Sequence, residues 1–327
     1  MSHRPVLLGE ALAALDVRPG GLYVDATFGG GGHARAILEA ADCGLIAIDR
    51  DPDALARAGP LQAVFGQRLQ LAAGRFGAMA ELIDARVDGV VLDLGVSSFQ
   101  LDEAERGFSF QADAPLDMRM EKAGPSAADA VNALSEAALS DLLKGFGEEA
   151  EHRRVARAIV AARAAAPITR TGALAELVER ALGGRRGRRT HPATRTFQAL
   201  RMLVNDELAE LARALAGAET LLKPGGRLAV VSFHSLEDRL VKSFLLARSG
   251  GGGHGSRHAP EAPAGPPPSF TLETRRIITP GDCEIETNPR ARSAGLRWAV
   301  RTQAPAQGAF AAPALAPKAE AEWKKLG

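Results

Sequence analysis

The feature that most restricts this chain is the apolar run Leu22-Tyr-Val-Asp25, which leads through Ala-Thr-Phe into four consecutive glycines, Gly29 to Gly32, and then His33 and a helical pattern. A buried strand that runs through glycines into a helix makes a tight turn. Glycine permits positive φ and close approach of the backbone to a ligand, and the free amides of the helix start point at that ligand. The next apolar run, Leu45 to Asp49, ends in a carboxylate twenty residues after Gly29. An acid at that place accepts hydrogen bonds from both hydroxyls of a ribose. Such a pair of features belongs to an α/β chain, and the flanking pattern agrees. Leu22 to Asp25, Leu45 to Asp49 and Val87 to Leu94 read as strands, with Ala34 to Ala41 and Pro52 to Ala58 as helices between them. Apolar strands alternating with helices form a parallel sheet covered on both faces.

The pattern returns late in the chain. Asn205 to Leu222 reads as a helix stopped by Lys223-Pro-Gly-Gly226, Arg227 to Phe233 as a strand, and Thr271 to Thr279 and Leu296 to Thr302 as edge strands. Between the two stretches lie helical patterns without a strand run. The expected organisation is therefore a Rossmann-like domain made of residues 1–103 and 202–303, an all-helical insert over 104–201, and a disordered Ala/Pro-rich tail over 304–327. Residues 250–269, with a four-glycine run, read as a flexible loop. With 46% hydrophobic and 24% charged residues the chain is otherwise of globular type. Its two cysteines, Cys43 and Cys283, give neither a disulfide framework nor a zinc set, and no metal site is predicted. The start carries Glu10 inside its apolar part, unlike a signal peptide, and no stretch reaches the roughly 20 apolar residues of a membrane span. A cytoplasmic protein without membrane contact is expected.

Two ligands suit the glycine turn. Gly29-x-Gly31-x-x-Ala34 satisfies a dinucleotide fingerprint, so a NAD-dependent dehydrogenase is one reading. Asp25 tilts the choice: a carboxylate beside a pyrophosphate would be repelled, whereas it suits the ammonium and sulfonium charges of S-adenosylmethionine.

Eight motifs carry a resemblance to a known family. Thr27-Phe-Gly-Gly-Gly-Gly-His33, Ala47-Ile-Asp-Arg-Asp-Pro52, Leu92-Asp-Leu-Gly-Val-Ser-Ser98, Glu105-Arg-Gly-Phe-Ser-Phe110, Pro115-Leu-Asp-Met-Arg-Met120, His191-Pro-Ala-Thr-Arg-Thr-Phe-Gln198, Ser232-Phe-His-Ser-Leu-Glu-Asp-Arg239 and Asn288-Pro-Arg-Ala-Arg-Ser293 occur in that order. The chain thus resembles the bacterial 16S ribosomal RNA (cytosine-N4)-methyltransferase family over residues 3 to 302. The resemblance implies a class I S-adenosylmethionine-dependent fold and a helical domain that meets RNA, with a cytosine of the decoding region as target. It also implies cofactor contacts at Gly31, Gly32, His33, Asp49, Phe76, Asp93 and Gln100. Phe76 would be an apolar wall against adenine, with a core phenylalanine as the alternative.

Methyl transfer from a sulfonium is an in-line displacement, so the protein has to align the reactants and exclude water. Methylation at carbon-5 of a pyrimidine needs a cysteine nucleophile after the fourth strand, where this chain has none, so direct transfer to nitrogen or oxygen is favoured. The lone pair of a cytosine amine is delocalised into the ring, and acceptors that hold its hydrogens would localise it. Asp93, Ser97 and Ser98 are the nearest candidates, followed by Asp117, His191 and His234. A structural role is the alternative for each of the last three. This chain has Asp93-Leu-Gly-Val96 where many amino-methyltransferases carry Pro-Pro-aromatic, so the aromatic that stacks on the base comes from elsewhere, with Phe99, Phe108 and Phe233 as candidates.

The charges nearly cancel overall, Lys+Arg 40 against Asp+Glu 39. Ten of the basic residues nevertheless lie in two segments free of acids, 183–205 and 288–301, which leaves 30 against 39 in the rest. Arg185, Arg186, Arg188, Arg189, Arg195, Arg290 and Arg292 are therefore the candidate RNA contacts, since arginine binds phosphates and stacks on bases. The expected partner is 16S rRNA or the small ribosomal subunit, with a homodimer left open. A non-catalytic RNA-binding protein is the third reading, beside the dehydrogenase.

Overall fold

The computed structural model of the protein describes residues 5–185, 187, 190–250 and 265–327. Its chain divides into two compact units, residues 1–95 with 208–312 and residues 96–207 with 313–327.

The first unit is built on seven strands: β1 Leu22–Asp25, β2 Gly44–Asp49, β3 Leu69–Ala73, β4 Val87–Asp93, β5 Leu222–Ser232, β6 Phe270–Thr271 and β7 Gly295–Arg301. They are ordered β3-β2-β1-β4-β5-β7-β6. The first five are parallel, and β7 runs antiparallel to both β5 and β6. The order reverses between β1 and β4, and ligands of open α/β sheets bind outside the carboxyl ends of the strands at such a switch. The predicted first, second and fourth strands agree with β1, β2 and β4 to within a residue. β3 escaped because Leu69-Gln-Leu-Ala-Ala73 is a sheet edge with one fully buried residue. The strand expected over 271–279 is reduced to two residues and a single bridge from Ile278 to Leu296. One core lies between sheet and helices, where Tyr23, Leu45, Ala229, Val231 and Leu296 meet Leu15, Ile37 and Leu38.

The second unit is helical, and among its described residues there is no strand. It begins at Val96 and ends at Glu207, not at the expected 104 and 201. The interior of Leu139, Leu142, Leu143, Val155, Ile159, Leu174 and Val178 comes from three helices, Glu136–Gly145, His152–Arg163 and Thr171–Ala181.

The tail corrects a second expectation. Of the segment taken as disordered, Gln307 and Gly308 receive hydrogen bonds from the Arg248 guanidinium, and the Phe310 ring stands edge-on to Phe244 at 5.1 Å. Further on, Pro317–Trp323 forms a helix in the second unit. Ser135 donates to Glu322 through both its amide and its hydroxyl, at 2.8 and 2.7 Å, and the Lys318 amide donates to Asp141 at 2.8 Å. Gly145 lies so close to the carbonyl of Leu315 that any side chain there would collide. An alanine- and proline-rich composition hides this because the docking surface is made of Ala316 and Ala319, both fully buried. Removing residues 313–327 is expected to destabilise the helical unit by roughly 2 kcal/mol, the scale of one large apolar side chain uncovered. An unchanged melting temperature would show that the docking carries no stability. The loop expected over 250–269 lies outside the described residues from 251 to 264.

Candidate functional site

The site of the first unit is assembled at the carboxyl ends of β1, β2 and β4. Gly29 and Gly31 both have positive φ, 51° and 73°, and Gly31 caps the helix Gly32–Ala40. A Cβ on Gly31 would stand 2.9 Å from the Phe28 ring, and one on Gly32 only 2.3 Å from Pro5. The turn is therefore held in shape from both sides, and only glycine fits at these two positions. Asp49 fixes it from the second strand. One of its oxygens accepts the Gly29 amide at 2.7 Å and the other the Asp51 amide at 2.8 Å. A carboxylate has about four acceptor sites, and the Arg50 amide also lowers the Asp49 carboxyl, so acceptor capacity remains for a ligand's hydroxyl. Burial pushes the Asp49 carboxyl up, against the pull of these amides. Asp49→Ala is expected to loosen the turn by about 2 kcal/mol, the worth of a hydrogen bond to a charged group, and to weaken S-adenosylhomocysteine binding at least tenfold. Calorimetric titration reads the second effect, and unaltered affinity would exclude Asp49 from the binding site.

Thr27, which sequence reasoning did not single out, ties the two acidic strand ends together. Its amide donates to Asp25 at 3.1 Å, and its hydroxyl accepts the Asp93 amide at 2.7 Å. Asp25 is almost wholly buried and its Oδ2 has no hydrogen-bond partner. Burial, reinforced by the Asp49 charge, raises its carboxyl to about 7 against the Thr27 amide. Asp93 also has a buried oxygen without a partner, Oδ1, while its Oδ2 lies 3.6 Å from His33 Nδ1. Its carboxyl is pushed well up by burial, then by the charges of Asp25 and Glu237. His33 is driven down to about 4 by burial, so it is neutral at pH 7, and its Nε2 is unpaired. Glu237, the other acid missed in the sequence, is buried at the start of the helix Ser235–Arg248. The signal was there: His234-Ser-Leu-Glu237 has the spacing of a helix N-cap and its third residue.

The remaining predicted residues divide. His234 is the N-cap of that helix: its ring accepts the Glu237 amide, and Glu237 accepts the amides of Phe233 and His234 at 2.9 and 3.3 Å. The cap uses Nδ1 of His234, and its Nε2 lies 3.1 Å from a Glu237 carboxylate oxygen. Ser97 and Gln100 form a reciprocal cap on the helix Ser98–Asp102, each accepting the other's amide. Ser98 is the first residue of that helix. Asp117 is bound by the Arg119 guanidinium at 2.6 Å; burial works against ionisation there, but the guanidinium prevails and holds the carboxyl low. Phe76 follows β3, in the turn Phe76–Ala78, and is half-buried. Of the three stacking candidates, Phe108 is buried, Phe99 is 41% exposed, and Phe233 is half-buried beside Gly95. His191 accepts the Ala193 amide, bonds Glu179 at 3.2 Å, and packs on Phe110. Cys43 is buried at the amino end of β2, the end opposite the glycine turn.

The arginine segments are less free than their composition suggests. Arg185 pairs with Glu179 at 3.2 Å, and Arg195 donates to the Glu148 carbonyl at 2.9 Å. Arg201 is forked onto Glu207, Arg297 onto Asp238, and Arg301 is buried against the carbonyls of Glu219 and Ser269. Arg290 and Arg292 are exposed on the turn Pro289–Ser293. Arg186, Arg188 and Arg189 lie outside the described residues.

Buried carboxyl oxygens without partners beside a glycine turn fit a cationic nucleoside ligand and disfavour a pyrophosphate. With the strand order, they define a class I methyltransferase that uses S-adenosylmethionine. Residues 1–302 match the model of the MraW methylase family, and the chain belongs to that family. It is 56% identical over 309 residues to the Ribosomal RNA small subunit methyltransferase H of Maricaulis maris, covering 93% of this chain and 92% of the relative. It is 58% identical over 311 residues to the protein of the same name in Rhodopseudomonas palustris, covering 94% and 93%. No helix among the described residues is long and apolar enough to cross a membrane.

Proposed function

We propose that the protein transfers a methyl group from S-adenosylmethionine to the exocyclic N4 amine of a cytosine in the decoding region of 16S rRNA, in the cytoplasm. The observation that carries this reading is the pair of buried carboxyl oxygens without partners, Asp25 Oδ2 and Asp93 Oδ1, at the ends of the neighbouring strands β1 and β4. The names of the curated relatives support small-subunit ribosomal RNA as the substrate.

S-adenosylmethionine, when bound, supplies a methyl group activated on a positively charged sulfur. The residues present fit it. Gly31, Gly32 and His33 offer the turn and its amides, Asp49 keeps acceptor capacity for a ribose hydroxyl, and Phe76 offers an apolar face. Asp25 would set its charge against the ligand's cationic end. Asp93 accepts an N–H of the target amine, localising the nitrogen lone pair toward the methyl group, and then takes the proton that the amine sheds. Burial and the neighbouring acids push this carboxyl up, so its ionised form holds a proton more tightly than an ordinary carboxylate, which suits that second task. His33, neutral at pH 7, stands beside this carboxyl, its Nδ1 3.6 Å from Asp93 Oδ2. Ser97 and Gln100 shape the turn that follows Asp93, and the target base has to be splayed out of its helix to reach it.

The direct test is incubation of purified protein with methyl-labelled S-adenosylmethionine and either naked 16S rRNA or isolated small subunits. N4-methylcytidine in the RNA is expected; label at carbon-5 or at a ribose oxygen would refute the assignment.

A further inference from the structure

The second unit holds a cavity of about 500 Å³ between the helices Glu136–Gly145 and His152–Arg163 and the tail helix Pro317–Trp323. Three cations stand round it, Lys144, Arg153 and Lys318. All three side chains are solvent-exposed, and among the described residues none of them makes an ion pair or a side-chain hydrogen bond. Arg185, Arg201 and Arg297 of the arginine-rich segments, by contrast, are each matched to a carboxylate.

Two acids also line the cavity, and both are engaged. Glu136 lies 4.0 Å from Arg157, and Asp141 accepts the Lys318 backbone amide at 2.8 Å. Ser140 adds a hydroxyl, bonded to His152 Nδ1 at 2.8 Å. The cavity thus sets three cations against two carboxylates, and adds the Ser140 hydroxyl beside the His152 ring. That set recognises a phosphate group: two rotatable ammonium donors, one guanidinium fork and one hydroxyl.

We propose that this cavity is a phosphate subsite of the helical unit, which takes a backbone phosphodiester of the RNA substrate. The inference rests on the reading of this protein as an RNA methyltransferase and deepens it. The subsite is completed by Lys318, which lies beyond the residues matched by the family model. Its side chain is free of the bond that docks the tail helix, because Asp141 is held by the backbone amide. Replacing the side chain therefore leaves the docking intact.

The experiment compares wild type with Lys144→Ala/Lys318→Ala in the full chain, using a fluorescently labelled fragment of small-subunit RNA at several salt concentrations. The double variant is expected to bind about tenfold more weakly and to lose about 0.7–0.9 from the slope of log affinity against log salt, the contribution of the one phosphate the subsite neutralises. Its melting temperature and its affinity for S-adenosylhomocysteine are expected to be unchanged. Equal affinity and slope in the two proteins would overturn the subsite while leaving the methyltransferase reading intact. Failure of wild type itself to bind RNA would overturn the reading beneath it. Inorganic phosphate separates the alternative source. If millimolar phosphate raises the melting temperature of wild type alone while the two proteins bind RNA equally, the cavity takes a free anion and the proposal fails.

Discussion

Asp93→Ala is expected to reduce methyl transfer by about 10²–10⁴-fold, the usual contribution of a positioned acid–base group, with a smaller loss of cofactor affinity. The carboxyl ends β4, its amide is anchored on Thr27, and its Oδ1 is buried with nothing to bond. An unsatisfied buried acceptor costs stability unless a ligand completes it. Asp93→Asn separates the two roles. The amide oxygen still accepts an N–H but the group cannot take up a proton, so its rate should lie between those of wild type and the alanine variant. Single-turnover rates and S-adenosylhomocysteine titrations on both variants give the comparison. A rate for Asp93→Ala within about threefold of wild type would contradict the role, since even the weakest acid–base contribution exceeds that.

Asp25→Asn should stabilise the protein without cofactor while disabling cofactor binding. Folded, the Asp25 carboxyl keeps its proton up to about pH 7, whereas the ordinary value is 3.8. Between those limits the folded state binds more protons than the unfolded one, so this residue's contribution to stability falls as pH rises from about 4 to 7. His33 works in the opposite sense. Neutral when folded above about 4 and ordinarily titrating at 6.5, it withdraws stability as pH falls from 6.5 towards 4. The asparagine removes only the first effect. At pH 8 the variant should exceed wild type by about 2–4 kcal/mol, at 1.36 kcal/mol per unit of displacement, and the gain should vanish near pH 4. Affinity for S-adenosylmethionine should fall at least tenfold, because the amide brings no charge to a cation. Melting curves at several pH values and a binding titration check both. A lower melting temperature at pH 8 with unchanged affinity would show that Asp25 is structural.

Much of the nucleotide end of the site was legible because local rules dictate it. A strand ending in Asp25, glycines at Gly29 and Gly31 and an acid at the end of the next strand can be counted along the chain, and the positive φ of both glycines bears out the turn. Other features depend on who neighbours whom. Thr27 matters because β1 lies beside β4, sixty-six residues on, and Glu237 because its charge reaches Asp93. His234, seen after a strand, left both a reactive and a structural role open, and the residue three places on shows that its Nδ1 caps a helix. Charge runs depend on neighbours too. Arg185, Arg201 and Arg297, in segments without acids, meet Glu179, Glu207 and Asp238 in space, whereas Arg290 and Arg292 stay exposed, and Lys144, Arg153 and Lys318, scattered along the chain, gather round one cavity. The tail was misjudged for a related reason, because small residues such as Ala316 and Ala319 form a packing face only once Gly145 and Ser135 are opposite them.

The central claim is that this protein places a methyl group on N4 of a cytosine in small-subunit RNA. Nucleoside mass spectrometry of 16S rRNA from a strain lacking the gene tests it most directly, with the wild-type gene and the Asp93→Ala form restored on plasmids. Loss of an N4-methylated cytidine in the deletion, restored by wild type and not by Asp93→Ala, is the expected result. Undiminished N4-methylation in the deletion strain would contradict the account.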